Sequence, residues 1–285
     1  MAAARSAAGR RAHQPLTRRT ANTPGDGLPF MRGSRHGALG LGSRHDPALA
    51  GRLVSSAYWI AVSVGAVVGC SLTAVARLHP GDWTLIASRG LGVVLATDSV
   101  TSVVRPIADD TFTVRASLPL SLCDVALVIA AFACWMPWRP LLVELTYFWG
   151  LAGSLQAVLT PDLTERFPEL QFFVYVAAHV GIVTAAIYLV VGLRCRPRPR
   201  AVPRIWVITA AYAAAVGVFD AATGANYMFL RAKPSTASLL SVLGPWPWYI
   251  VGAAALALLL LIVLDAPFWP GRRVRPALSE QAGTS

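Results

Sequence analysis

Cys123 and Asp124 stand side by side in LPLSLCD, Leu118 to Asp124, where the chain enters one of its most apolar segments. A cysteine there can be an inert small hydrophobe, or a nucleophile if a base takes its proton. The candidate base is His179, the one histidine inside an apolar span; His13, His36, His45 and His79 fall in tails or loops. With an imidazole in reach, the thiolate could attack an ester and hold the acyl group as a thioester. A carboxylate or amide such as Asp124 or Gln156 could orient the imidazole or stabilise developing charge. Tyr175, one helical turn before His179, could hydrogen-bond it. Neighbours on a helix point about 100° apart, so Asp124 is expected to hold an adjacent helix or a water rather than the sulfur. One histidine with one cysteine and scattered carboxylates is a poor metal site, so no metal and no cofactor are expected. Retinal-type chemistry needs a lysine within a span, and the single lysine, Lys233, lies in a loop.

These residues must be positioned by membrane helices. Apolar residues make up 55% of the 285 and charged residues 14%, the balance of an integral membrane protein. The net charge of +11 comes almost wholly from arginines in tails and short loops, a pattern of topology and lipid contact, so membrane lipids and not nucleic acid are the expected partners. Protein partners are left unknown. The four cysteines, Cys70, Cys123, Cys134 and Cys195, form no C-x-x-C pair and argue against a disulfide framework.

Residues 1–52 carry Ala, Arg, Gly and Ser with no apolar run and read as a disordered tail without a signal peptide's core; Met31 is an alternative start. Residues 53–268 read as an all-α, polytopic helix bundle, and 269–285 as a second disordered tail. Seven windows suffice to cross about 30 Å of hydrocarbon: near 54–76, 83–104, 117–136, 140–160, 170–192, 205–224 and 247–266. The second is interrupted by Arg89 and Asp98, so six spans, with that one excluded, is the alternative. The cell membrane is the expected location. The short loops, led by the cluster from Arg194 to Arg204, put the carboxyl terminus in the cytoplasm, while nine arginines in the amino-terminal tail pull the other way.

Counting 1.5 Å per residue from the span ends brings polar groups of five helices into one half of the bilayer. Cys123 and Asp124 come to about 10 Å, His179 to about 14 Å, Asp98 to about 9 Å, and Gln156 and Asp220 to about 6 Å. Glu144 and Arg89 fall in the other half. Such convergence is what a shared polar cavity would produce; the alternative is unrelated polar residues, each snorkelling or bonded to a neighbouring helix. The face nearest these groups carries TPDL and the long connection through GPWPWY, whose aromatics suit a headgroup belt. Gly150 and Gly153 permit close helix approach.

Several stretches together carry a resemblance. LPLSLCD, YFWGLAGSLQAVLTPDL (147–163), FFVYVAAH (172–179), NYMFLRAKP (226–234) and SLLSVLGPWPWYI (238–250) resemble the YwaF-like bacterial integral membrane proteins. Those are similar to the eukaryotic transmembrane protein 164 family, over roughly residues 54–266. The resemblance implies a phospholipid acyltransferase that moves a fatty acyl chain through a membrane cysteine assisted by a histidine, matching Cys123 and His179. The first string usually reads LPLHLC, and here Ser121 takes the histidine's place.

Two other classes stay open. Asp98, Asp124 and Asp220, with Arg89 and Glu144 in the other half, could line a proton or solute path in a transporter or sensor, although no inverted repeat is evident. A non-catalytic structural membrane protein would give none of these residues a role beyond stability.

Overall fold

The computed structural model describes residues 47–161, 167–233 and 239–270. The expectations for the tail up to residue 46, for the second half of TPDL and for residues beyond 270 lie outside the described residues.

Seven long helices follow one another: α1 Pro47–Leu78, α2 Trp83–Ala108, α3 Leu122–Trp135, α4 Pro140–Leu159, α5 Leu170–Gly192, α6 Ala201–Thr223 and α7 Trp248–Phe268. A single helical turn, Leu239–Val242, precedes α7. The starts and stops are chemical. Pro140 opens α4 in the first turn, where a missing N–H costs nothing. Gly224, at φ +76°, closes α6 in the left-handed conformation that glycine adopts without strain. Six of the seven are long and apolar enough to cross a membrane, and α3 falls short at 14 residues, about 21 Å.

The all-α bundle therefore stands, with adjustments to its helix bounds. The second window, whose exclusion would have given six spans, is a continuous 26-residue helix, because Arg89 faces outward and only Asp98 of the two interrupting residues is buried. The window at 117–136 is helical only from Leu122. Leu118 precedes Pro119 and is biased towards extended backbone. Ser121 and Asp124 then form a capping box, with the Ser121 N–H donating to Asp124 Oδ2 at 3.2 Å. At the other end, α1 already includes residues 47–52, which the sequence assigned to the tail.

Helix α4 is the most enclosed, with 56% of its span buried against 17% for α1, α2, α6 and α7. The outer helices present Ile60, Val64, Val93, Val218 and Val263 outward, as a lipid-facing surface requires. Helices α2, α3, α4 and α5 pack on one another around Leu95, Ala130, Phe148 and Ile182, with α1 laid along α5 and α7 along α6. Gly150 is needed for the α4–α5 contact, since a Cβ there would lie 3.1 Å from Ile182 Cγ2 and 3.2 Å from Ala186 Cβ. Gly153 has more room, its nearest neighbour being Leu122 at 3.6 Å.

One end of the bundle is tied by charge. Glu144, fully buried on α4, accepts from the Arg198 N–H at 2.9 Å and from its side chain at 2.9 and 3.0 Å, and from Arg204 at 2.7 Å. The arginine-rich loop is thus folded inward over α4, and the carboxylate raises the already high pKa of Arg198. Cys195, in the same loop, is half-buried, and burial pushes its thiol pKa up.

Candidate active site

Cys123 does not sit midway along a helix. It is the second residue of α3, where the chain passes from irregular to helical backbone. The irregular stretch before it, residues 111–121, is held by two tyrosines. Tyr227 accepts from the Leu118 N–H at 2.9 Å and donates to Val114 O at 3.0 Å, and Tyr212 donates to Leu120 O at 2.8 Å. These bonds satisfy backbone groups that helix would otherwise have paired, the condition for irregular backbone beside a membrane. Burial raises the Tyr227 phenol, so it stays a neutral donor.

The first N–H groups of a helix have no partner within it. Those of Asp124 and Val125 turn back to Ser121 O at 3.1 and 3.2 Å. Those of Leu122 and Cys123 have no acceptor among the described residues. The thiol lies against the hydroxyl of Ser154, which is fully buried and makes no well-directed hydrogen bond of its own. Ser154 ends a π-helical turn, Gly150–Ser154, in α4. Such wide turns redirect side chains and recur at functional sites.

His179 projects from α5. Its Nδ1 lies 2.8 Å from Tyr175 O, and since a carbonyl only accepts, Nδ1 carries the proton and Nε2 is left as the basic nitrogen. The imidazole stacks on the Tyr175 ring with centroids 4.2 Å apart. The sequence expectation for Tyr175 is corrected in its atoms: the backbone carbonyl holds His179, while the hydroxyl donates to Ala157 O at 3.0 Å.

The helix registers bring these groups to one height. Ser88 Oγ donates to Cys134 O at 2.8 Å, fixing α2 antiparallel to α3. Asp98 lies as far along α2 from Ser88 as Asp124 lies back along α3 from Cys134. Leu95 packs into the space above Gly181, where a Cβ would come within 2.7 Å of Leu95 Cδ2, so Asp98 stands opposite Ala178, beside His179 in sequence. On α4, Gly150 meets Ile182 and Ala157 meets Tyr175, so Ser154 lies opposite the stretch of α5 that contains His179. Cys123, Ser154, His179 and Asp98 therefore share a level on four helices. No hydrogen bond joins Cys123 to His179.

Three other candidates take different places. Asp124 caps its own helix instead of an adjacent one. Gln156 is half-buried, and its side chain makes no hydrogen bond among the described residues. Asp220 is fully buried with neither carboxylate oxygen hydrogen-bonded. It lies on α6, where Val216 packs with Ala225 and Tyr227 in a second, smaller core. Tyr227 is close enough to feel the charges of both Asp124 and Asp220, so it links that core to the start of α3. Sequence reasoning missed Ser154, Tyr212 and Tyr227. The capping pattern S-x-x-D at Ser121 to Asp124 was available as a sign that α3 starts there; nothing in the spacing marked Ser154. Among the described residues, no three His, Cys, Asp or Glu side chains gather as metal ligands would.

Fold and site together define a multi-pass membrane protein built as an α-helical bundle with a half-buried cysteine at a helix start. The family model of the TMEM164 family matches residues 48–265, and the chain belongs to that family. It is also 30% identical over 164 residues to a protein of Treponema pallidum (strain Nichols) described as an uncharacterized protein, covering 58% of this chain and 67% of that one. No solved structure matches.

Proposed function

We propose that the protein is a lipid acyltransferase working within the bilayer through a thioester on Cys123, with His179 as the base. The observation that carries this is the placement of Cys123 at the start of α3, beside two open backbone N–H groups and level with an imidazole whose Nδ1 is already anchored.

The chemistry follows from those atoms. His179 Nε2 takes the thiol proton as Sγ attacks the carbonyl carbon of a phospholipid ester. The N–H groups of Leu122 and Cys123 are suited to the resulting oxyanion, since fixed donors in a dry site stabilise developing charge strongly. The ester C–O bond breaks, the lysolipid oxygen takes the proton from His179, and the acyl group stays on sulfur. A second lipid alcohol then gives its proton to His179 and attacks the thioester, and the departing sulfur is reprotonated. Scarce water favours this transfer over hydrolysis. Ser121, where the family string usually has histidine, serves here as the cap residue of α3.

The test is intact-protein mass spectrometry after incubation with phospholipid liposomes, with turnover measured in parallel. An acyl adduct on wild-type protein, absent from Cys123→Ser, and loss of transfer in both Cys123→Ser and His179→Ala at near-normal expression are expected. Full turnover by Cys123→Ser would return the cysteine to an inert core residue. It would favour a second reading, a proton or solute path, which the buried carboxylates without partners, Asp98 and Asp220, support. Proton flux into liposomes that is lost in Asp220→Asn would decide for it. The loop from Arg194 to Arg204 is expected in the cytoplasm; cysteine labelling from outside would invert the leaflet served.

A further inference from the structure

Helix α3 is too short to cover α2 along its whole length, and a groove of about 1070 Å³ opens between them. Its walls are apolar: Val93 and Ala96 on α2, and Val128, Phe132 and Trp135 on α3. At one end stands Arg89. The far end reaches Thr101, twelve residues on, which is about 18 Å of helix. That matches one leaflet's hydrocarbon depth, about 15 Å. The groove lies on the opposite side of α3 from the Ala126, Ala130 and Cys134 packing surface, and its charged end is in the half of the bundle that holds the arginine loop.

Arg89 is the feature that needs an explanation. It lies six residues into α2, about 9 Å from the helix start, and it is exposed on a surface that faces lipid. Among the described residues, ion pairs join Arg105 to Asp109, and Arg198 and Arg204 to Glu144; Arg89 has neither an ion pair nor a hydrogen bond. A guanidinium at that depth is costly unless an anion or water reaches it, and its planar fork matches phosphate oxygens.

We propose that the groove between α2 and α3 binds an anionic phospholipid, with its phosphate on Arg89 and an acyl chain lying along the groove towards Thr101. This is a site separate from Cys123 and independent of the acyl-transfer reading. Charge complementarity selects the head, and the apolar walls take the chain. Both ends of the ligand are specified, which distinguishes it from bulk lipid passing over the same surface.

The experiment is native mass spectrometry of the full chain, purified in detergent and exposed to equimolar phosphatidylglycerol and phosphatidylcholine. One cationic side chain near a lipid surface favours an anionic lipid by about fivefold, so wild-type protein should retain one phosphatidylglycerol with about that preference. Arg89→Gln should bring the preference close to one without lowering the thermal midpoint. Ala96→Phe, which fills the groove from an exposed position and leaves the charge in place, should lose the retained lipid. Unchanged retention and preference in both variants would overturn the proposal. Retention surviving Ala96→Phe but not Arg89→Gln would also overturn it, since the chain would then lie elsewhere.

Discussion

The two ends of the bundle treat buried carboxylates in opposite ways. At the arginine-loop end, Glu144 is fully buried and saturated by four hydrogen bonds from Arg198 and Arg204. At the other end, Asp220 is as deeply buried with neither oxygen bonded, and Asp98 leaves Oδ2 without a partner. Ser154 joins them with a buried hydroxyl that makes no well-directed hydrogen bond and lies against Cys123. The contrast is not complete, because the Thr146 hydroxyl on α4 is also without a partner. It nevertheless separates a structural clamp from a region where polarity is kept in reserve. Paired charge in a core fixes a geometry, whereas unpaired polar groups lower stability and persist where something else uses them.

The largest expected effect is at the clamp. Glu144→Gln leaves two guanidiniums with a neutral partner and should cost about 3 kcal/mol, the low end for a broken buried pair because both arginines are partly exposed. Thermal unfolding in detergent checks it, and acyl transfer per folded molecule should be unchanged. A Glu144→Gln protein as stable as wild type would erase the distinction between the two ends. Next comes Tyr227→Phe, which removes both bonds to the irregular stretch before α3 and should cost about 1–2 kcal/mol. Because that stretch positions Cys123, transfer should fall along with stability.

Asp220→Asn is expected to stay within about 1 kcal/mol of wild type, since no hydrogen bond is lost. A drop as large as that of Glu144→Gln would mean that Asp220 is a structural group after all. Asp124→Asn should be smaller still, because an amide oxygen can also accept from Ser121 N–H; only the carboxylate's favourable charge at a helix start is lost. The smallest effect concerns the Cys195 thiol. Its raised pKa disfavours the thiolate in the folded chain, a contribution to stability present below the unfolded thiol's pKa and lost as pH rises through the folded one. Peptide mapping after maleimide treatment at pH 8 should show Cys195 labelled more slowly in folded protein than in protein unfolded by detergent.

Much of the fold was legible because lipid imposes a simple rule: backbone groups must pair within a helix, and the helix must be apolar over the membrane's thickness. The windows near 140–160 and 170–192 correspond closely to α4 and α5. The depth count placed Cys123, His179 and Asp98 at similar levels from the rise per residue alone. The count failed at residues 117–121. Hydropathy does not distinguish an apolar helix from an apolar irregular stretch held by tyrosines more than ninety residues away.

Composition and apolar periodicity by themselves determined a multi-pass helical bundle and the order of its helices. Tertiary structure alone decided which atoms face each other. It turned the Tyr175 carbonyl, not its hydroxyl, towards His179, set Ser154 against Cys123, folded the arginine loop over Glu144, and left Arg89 at the mouth of a lipid-facing groove. The physical reason is that a residue's depth follows from 1.5 Å of rise per position along one helix, whereas its partner follows from how several helices rotate and cross.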